Sequence, residues 1–261
     1  SIWVTGVQTC ALPISLRDEL ARIGYAGSMV PGSIVPHRYV ELHIEQGPVL
    51  EAEGIQIGAV DSLQGISWQQ VTIIGKANHA GTTPTRLRLD AGLAAAHVIT
   101  YLRRLVTEIS PTSVATVGRL AIKPNSINIV PSVASFSVDL RDAVEEKLKK
   151  LESELDRFLD ELSKEHGVTV DKRPLARTEP VVFDQGIAEE IERSCARLGY
   201  SVRRMASGAG HDAQMIARIC PAAMIFVPSR GGLSHNPAEF TAPEQLDAGL
   251  NVLLDVVGSM S

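Results

Sequence analysis

Between residues 64 and 175 the sequence runs strand, helix, strand, strand, helix, strand, the order of a ferredoxin-like α+β sheet. Residues 66–74 are β-rich. Residues 90–109 form a long helix with Leu93, Ala96, His97, Tyr101 and Leu105 near one stripe, and Pro111 ends it. A strand follows at 114–122, then a second at 127–140, broken near Pro131. In the latter, Phe136, Val138 and Leu140 alternate with Ser137, Asp139 and Arg141. Asp142 is positioned to cap the helix 143–166, whose Leu148, Leu151, Leu155, Phe158 and Leu162 make a clean stripe ending at Gly167. Residues 168–171 close the unit. The pattern predicts a compact four-stranded sheet with two helices on one face.

The flanking sequence has a different, α/β texture. A short amphipathic helix, LRDELARIGY, stops at Gly24, and a Gly/Pro-rich linker over 27–36 leads to a strand at 40–44. After Pro48 one helical turn precedes Gly54, and 55–60 is another strand. The same texture returns with a helix at 187–198 and a small-residue loop at 207–212 that opens a helix over 212–219. A buried strand follows at 222–227. Thr241-Ala-Pro-Glu244 reads as a capping box for a last helix with Leu246, Leu250 and Leu253 on its buried side. The expected architecture is α/β: a discontinuous body over 16–63 and 176–261, with 64–175 inserted. Residues 1–15 (SIWVTGVQTCALPIS) have neither helical nor strand periodicity and no basic segment or cleavage site. They read as a non-native leader, with native sequence expected upstream of Leu16.

The densest chemistry lies at 40–48, VELHIEQGP. Val40, Leu42 and Ile44 alternate with Glu41, His43 and Glu45, so a strand puts the imidazole and its flanking carboxylates on one face. A carboxylate that orients one ring nitrogen leaves the other free for a metal; the alternative is an ordinary polar strand face. His43, His79, His211 and His235 all lie in loops or at strand ends among Gly, Pro and small polar residues. Any one of them reads first as a hydrogen-bonded surface imidazole, and the four together point toward a site. His43 and His235 are the better metal ligands, but two histidines do not complete a dinuclear centre. His79, in the inserted unit, fits a donor to an oxyanion, or else a ring satisfied within its own loop. Arg141 can grip a carboxylate bidentately or pair with Asp139 or Asp142. The backbone of 207–210 offers N–H groups ahead of a helix.

A net charge of −5 and the lack of any long basic run exclude a nucleic-acid footprint. No stretch reaches the roughly 20 apolar residues of a membrane span. Three cysteines without CxxC spacing suit a reduced, cytoplasmic setting.

Taken together, HIEQGPVLE (43–51), GKANHAGTTP (75–84), NSINIVPS (125–132), VDLRD (138–142), SGAGHDAQ (207–214) and PSRGGLSHNPAE (228–239) resemble the allantoate amidohydrolase and N-carbamoyl-L-amino-acid hydrolase family. That family belongs to the wider group of dinuclear zinc aminoacylases and carboxypeptidases. The resemblance implies a metal-binding α/β domain with an inserted lid that also dimerises. It implies that His43 and His235 each bind one of two divalent ions, Zn²⁺, Mn²⁺ or Co²⁺, and that His79 polarises the scissile carbonyl, with reach across the dimer to the partner subunit's site. It assigns Asn128 and Arg141 to the carboxylate of a small carbamoyl or ureido substrate, Gly208 and Gly210 to substrate contact through the backbone, and Gln46 to support of the site. The family's upstream His-x-Asp pair, bridging Asp and Glu-Glu pair have no counterpart in this sequence. The expectation is therefore an N-terminally truncated chain that holds one ion or none tightly and is inactive or weak. The alternatives are a catalytically dead dimeric binding protein on the same scaffold, and a dipeptidase or aminoacylase of the wider group.

Overall fold

A computed structural model describes residues 15–30 and 32–260 and divides the chain into two compact units, 1–36 and 37–261. In the first unit, helix α1 (Leu16–Arg22) is N-capped by Ser15, whose Oγ accepts from the Asp18 N–H at 3.4 Å. Gly24 follows it at a φ of 75°. The leader expected over 1–15 lies, except for Ser15, outside the described residues.

The second unit opens with β1 (Tyr39–Ile44), α2 (Val49–Glu53) and β2 (Ile57–Leu63). Next come β3 (Gly65–Ile74), β4 (Asn78–His79), α3 (Ala91–Ile109), β5 (Val114–Thr116), β6 (Leu120–Lys123), β7 (Ile129–Val130) and β8 (Val133–Asp142). The rest is α4 (Glu145–His166), β9 (Thr169–Thr178), β10 (Val181–Val182), α5 (Gln185–Leu198), β11 (Val202–Ser207), α6 (Asp212–Ile216), β12 (Ala222–Val227) and α7 (Pro243–Ser259).

Two sheets carry two separate cores. In one, the order is β5-β8-β3-β9, with β6 also pairing β8, and every pairing is antiparallel. The strand expected at 114–122 is thus two short strands on one neighbour, and 127–140 splits into β7 and β8. Along β3 and β8 every second residue is buried. That buried face carries Val71, Ile73, Phe136, Val138 and Leu140, and α3 and α4 close it with Leu102, Leu105, Leu148, Leu151 and Leu155. Alternation of this kind follows when only one face of an antiparallel sheet meets a core.

The other sheet has the order β1-β12-β2-β10, with β11 on β2. β1 and β12 run parallel, β12 and β2 antiparallel. All six residues of β12 are buried, as expected of a strand covered on both faces. Its core gathers Leu50, Ile57, Phe183, Ile187, Ile191, Phe226 and Val252 from elements on either side of 64–178 in the chain.

On α3 the buried residues are Ala91, Ala94, Ala95, Val98, Tyr101, Leu102, Leu105 and Val106, whereas Leu93, Ala96 and His97 are exposed. On α4, Leu159 joins the buried stripe, and Phe158 stacks on Tyr101 at 3.8 Å between ring centroids. That helix begins at Glu145, and Asp142 sits ahead of it, fully buried, accepting from the Val144 N–H and Ser113 Oγ. Helix α6 ends at Ile216, short of 219. At the start of α7, Gln245 Oε1 rather than Glu244 receives a backbone N–H, that of Ala242, and Thr241 Oγ1 donates to Pro228 O. The buried side of α7 is Ala248, Gly249, Val252 and Val256, while Leu246 and Leu250 face solvent.

Candidate metal and substrate site

Strand parity puts Glu41 and His43 on the face of β1 that α6 covers. Glu41 Oε2 accepts from the Ala213 N–H of α6 at 2.8 Å, and its Oε1 lies 3.7 Å from His211 Nδ1. The rings of His43 and His211 meet edge to face, with centroids 4.6 Å apart. One donor atom from each of Glu41, His43 and His211 lies within 4.8 Å of the others, the one such group of three or more among the described residues.

A carbonyl fixes the tautomer of His43. His43 Nδ1 lies 2.8 Å from Ile44 O, and a carbonyl only accepts, so the proton is on Nδ1 and the lone pair is on Nε2. Ser207 Oγ hydrogen-bonds His211 Nε2 at 2.8 Å and also reaches Ala209 O at 3.2 Å. Nδ1 of His211 is the ring nitrogen turned toward Glu41. Burial, aided by the neighbouring His43, pushes the His211 imidazole down to about 4, against the opposing pull of Asp212. Two imidazoles and a carboxylate are a suitable donor set for Zn²⁺ and related divalent ions.

Glu45 does not stand beside the His43 ring. It is buried at the strand end, where its two oxygens accept from the Val49 and Leu50 N–H groups at 2.8 and 2.9 Å and cap α2. That cap holds the turn through Gln46, which has a φ of 56°. The Gln46 N–H donates to Ser229 Oγ, and its Nε2 donates to Ser234 Oγ at 2.8 Å. Gln46 thus fastens the loop of His235 to the end of β1. Gly232 lets that loop approach: it has a φ of 63°, and a Cβ there would sit 2.8 Å from Pro48 N. His235, also at positive φ, has its N–H held by Glu239. His43, Gln46, His235 and Glu239 line one cleft of about 550 Å³.

The remaining residues form two further groups. Arg141 makes three hydrogen bonds to the Asp139 carboxylate, the shortest 2.7 Å, and donates through Nη1 to Gly208 O at 2.6 Å. Its guanidinium thus joins the sheet of β3 and β8 to the loop that carries Gly208 and Gly210. His79 pairs with Ile129 across β4 and β7, and the Ala80 N–H donates to Asn128 O. The N–H groups of Gly81 and Thr82 both donate to His79 Nδ1, so its proton is on Nε2. Asn128 Oδ1 accepts from Ser126 Oγ. None of these hydrogen bonds carries His79 or Asn128 to the cleft of His43 and His235.

Sequence reasoning named Glu41 and His211 but assigned neither to a metal. The two-residue spacing of Glu41 and His43 on one strand was the available signal. The small-residue loop marks His211 as a candidate, but only the packing of α6 on β1 brings it to them.

The family model for peptidase family M20/M25/M40 matches residues 18–259. An N-carbamoyl-L-amino-acid amidohydrolase of Rhizobium meliloti is 39% identical over 243 residues, covering 93% of this chain and 58% of that protein. An allantoate amidohydrolase of Bacillus subtilis is 37% identical over 219 residues, 84% of this chain and 53% of its own length. Among solved structures, an amidase of the hydantoinase/carbamoylase family from Burkholderia multivorans superposes with a TM-score of 0.90 at 39% identity, covering 93% of this chain and 59% of that one. The chain thus spans somewhat over half the length of these relatives.

Proposed function

The chain belongs to peptidase family M20/M25/M40, and from that premise we propose that it is the greater part of a metal-dependent amidohydrolase. Its substrate is a small carboxylate-bearing carbamoyl or ureido compound, such as an N-carbamoyl-L-amino acid or allantoate, cleaved at a linear, non-peptide C–N bond. The observation that carries this reading is the convergence of Glu41, His43 and His211, with the free lone pair of His43 fixed by a hydrogen bond. Relatives named for carbamoyl-amino-acid and allantoate hydrolysis support the substrate class.

Glu41, His43 and His211 would hold one divalent ion, Zn²⁺, Mn²⁺ or Co²⁺, and His235 would serve a second across the same cleft. A bound ion would polarise the carbonyl and acidify a coordinated water. The chain's own residues do the rest. His79 offers its Nε2 proton to the developing oxyanion. Arg141 turns from Asp139 and Gly208 to grip the substrate carboxylate, with Asn128 beside it and the backbone of Gly208 and Gly210 lining the pocket. Gln46 keeps the His235 loop in place. Because His79 and Asn128 lie off the cleft, the body over 64–175 acts as a lid that must close, and it pairs two subunits into a homodimer. We place the protein in the cytoplasm, in keeping with its free, buried Cys195 and Cys220; among the described residues no helix is long and apolar enough to cross a membrane.

We further propose that the chain by itself turns over slowly or not at all. The test is hydrolysis of N-carbamoyl amino acids and allantoate with Mn²⁺ or Zn²⁺, for this chain and for a form extended to the length of its relatives. The extended form should act on one of these substrates, and His43→Ala should abolish that activity. An extended, metal-loaded form with no turnover would overturn the proposal. One observation favours a second reading, a non-catalytic binding protein: the Arg141 guanidinium is already filled by Asp139 and Gly208. Ligand binding by the extended form without turnover would decide for it.

A further inference from the structure

Away from the cleft, α3 and α4 bring two imidazoles together. His97, exposed on α3, and His166, the last residue of α4, pack with ring centroids 4.9 Å apart and planes at 84°. His166 Nε2 is buried and has no hydrogen-bond partner. Buried polar atoms are ordinarily paired, so an orphaned ring nitrogen against a second imidazole calls for an account.

We propose that His97 and His166 form a separate metal site for a late transition ion, with Zn²⁺ and Cu²⁺ as the fitting probes, that ties the end of α4 to the middle of α3. Imidazole nitrogen suits Zn²⁺, Cu²⁺ and Ni²⁺, whereas Ca²⁺ and Mg²⁺ seek oxygen. No carboxylate joins the pair in a three-donor group among the described residues, so oxygen-seeking ions are disfavoured and solvent completes the coordination. The place also suits a cation. The last turn of α4 carries the negative end of the helix dipole, and Gly167 in the left-handed conformation closes the helix there. His97 is the ring that moves: being exposed, it can turn about its side-chain bonds, admit the ion and direct a nitrogen at it. Ligation gives His166 Nε2 the partner it lacks. With two protein donors this site is weaker than the group of Glu41, His43 and His211, and it lies on different elements, so each can be removed without the other.

The experiment is calorimetric titration of the intact chain with Zn²⁺ alone, repeated on His97→Ala, His166→Ala and His43→Ala. His97→Ala, an exposed helical substitution, should keep the fold and lose one weaker equivalent of Zn²⁺. His166→Ala should lose the same equivalent, and His43→Ala should keep it. Cu²⁺ should broaden the ring resonances of His97 and His166 in the parent and leave His166 sharp in His97→Ala. If His97→Ala binds as many equivalents as the parent with the same affinities, the two rings are a packing contact only and the proposal is overturned. Because His97→Ala carries the test, a His166→Ala chain that fails to fold would not rescue it.

Discussion

In the sheet of β3 and β8, each strand buries every second residue, and α3 and α4 turn their leucines onto that one face. In the sheet of β1 and β12, the central strand is buried throughout, β1 is half-exposed along its length, and α7 turns Leu246, Leu250, Leu254 and Val257 to solvent. Leu254 is 72% exposed, more than any residue of the α4 stripe by a wide margin. The first sheet needs cover on one side and has it from its own two helices. The second is built to be covered on both sides, and it carries Glu41 and His43, two of the three candidate metal ligands, on the less covered strand, β1. Regular packing and chemistry are thus divided between the two: one body satisfies its own core, and the other spends its edge strand on polar side chains that face a cleft.

The largest test of that division is Leu151→Ala. Leu151 is fully buried in the core under β3 and β8, and losing it should cost about 2–5 kcal/mol, read from denaturant unfolding. If the two bodies are energetically separate, Zn²⁺ affinity at Glu41, His43 and His211 will be unchanged in that variant under native conditions. A parallel loss would show that the two cores fold as one unit.

A smaller effect lies between α5 and α7, where Arg197 links Glu190 to Asp255. Hydrogen bonds from Arg197, and then from Arg193 and Ser259, hold the Glu190 carboxyl down to about 2 from an ordinary 4.5, against the opposing effect of burial. A carboxylate depressed in the folded state stabilises it above the unfolded value, and that contribution fades as pH falls from about 4.5 toward 2. Acid unfolding followed over this range should be less steep in Glu190→Gln than in the parent. An identical slope would remove this pair from the account.

The smallest expected change is Leu250→Ser on the open face of α7. An exposed site should move stability by no more than about 0.5 kcal/mol. A cost of several times that, measured by the same unfolding experiment, would mean that something buries this face in solution and that the contrast between the bodies is overstated.

The one-sided sheet was the more legible region, through strict alternation in 136–141 and the leucine stripe of α4, although it has five strands where the pattern predicts four. The second body misled where small residues do the packing. On α7 the pattern of Leu246 and Leu250 pointed to a buried side, yet the helix meets the sheet through Ala248, Gly249 and Val252. A Cβ at Gly249 would lie 2.6 Å from Val227 Cγ1, so close approach rather than bulk selects that face. The same holds on α3, where alanines face the core and Leu93 does not. In the site, parity along β1 foretold that Glu41 and His43 share a face. Glu45 broke parity because two free N–H groups at the start of α2 were within its reach. The meeting of His211 with His43 was not legible at all, since it depends on how a loop after β11 packs against β1.

The central claim is that Glu41, His43 and His211 hold a divalent ion, and the most direct measurement is anomalous diffraction from crystals of this chain grown with Zn²⁺. A zinc peak is expected bonded to His43 Nε2 and His211 Nδ1 with a Glu41 oxygen in the same sphere, and no such peak in His43→Ala. Zinc absent from that cluster at saturating concentration, or bound there through His43 Nδ1, would contradict it.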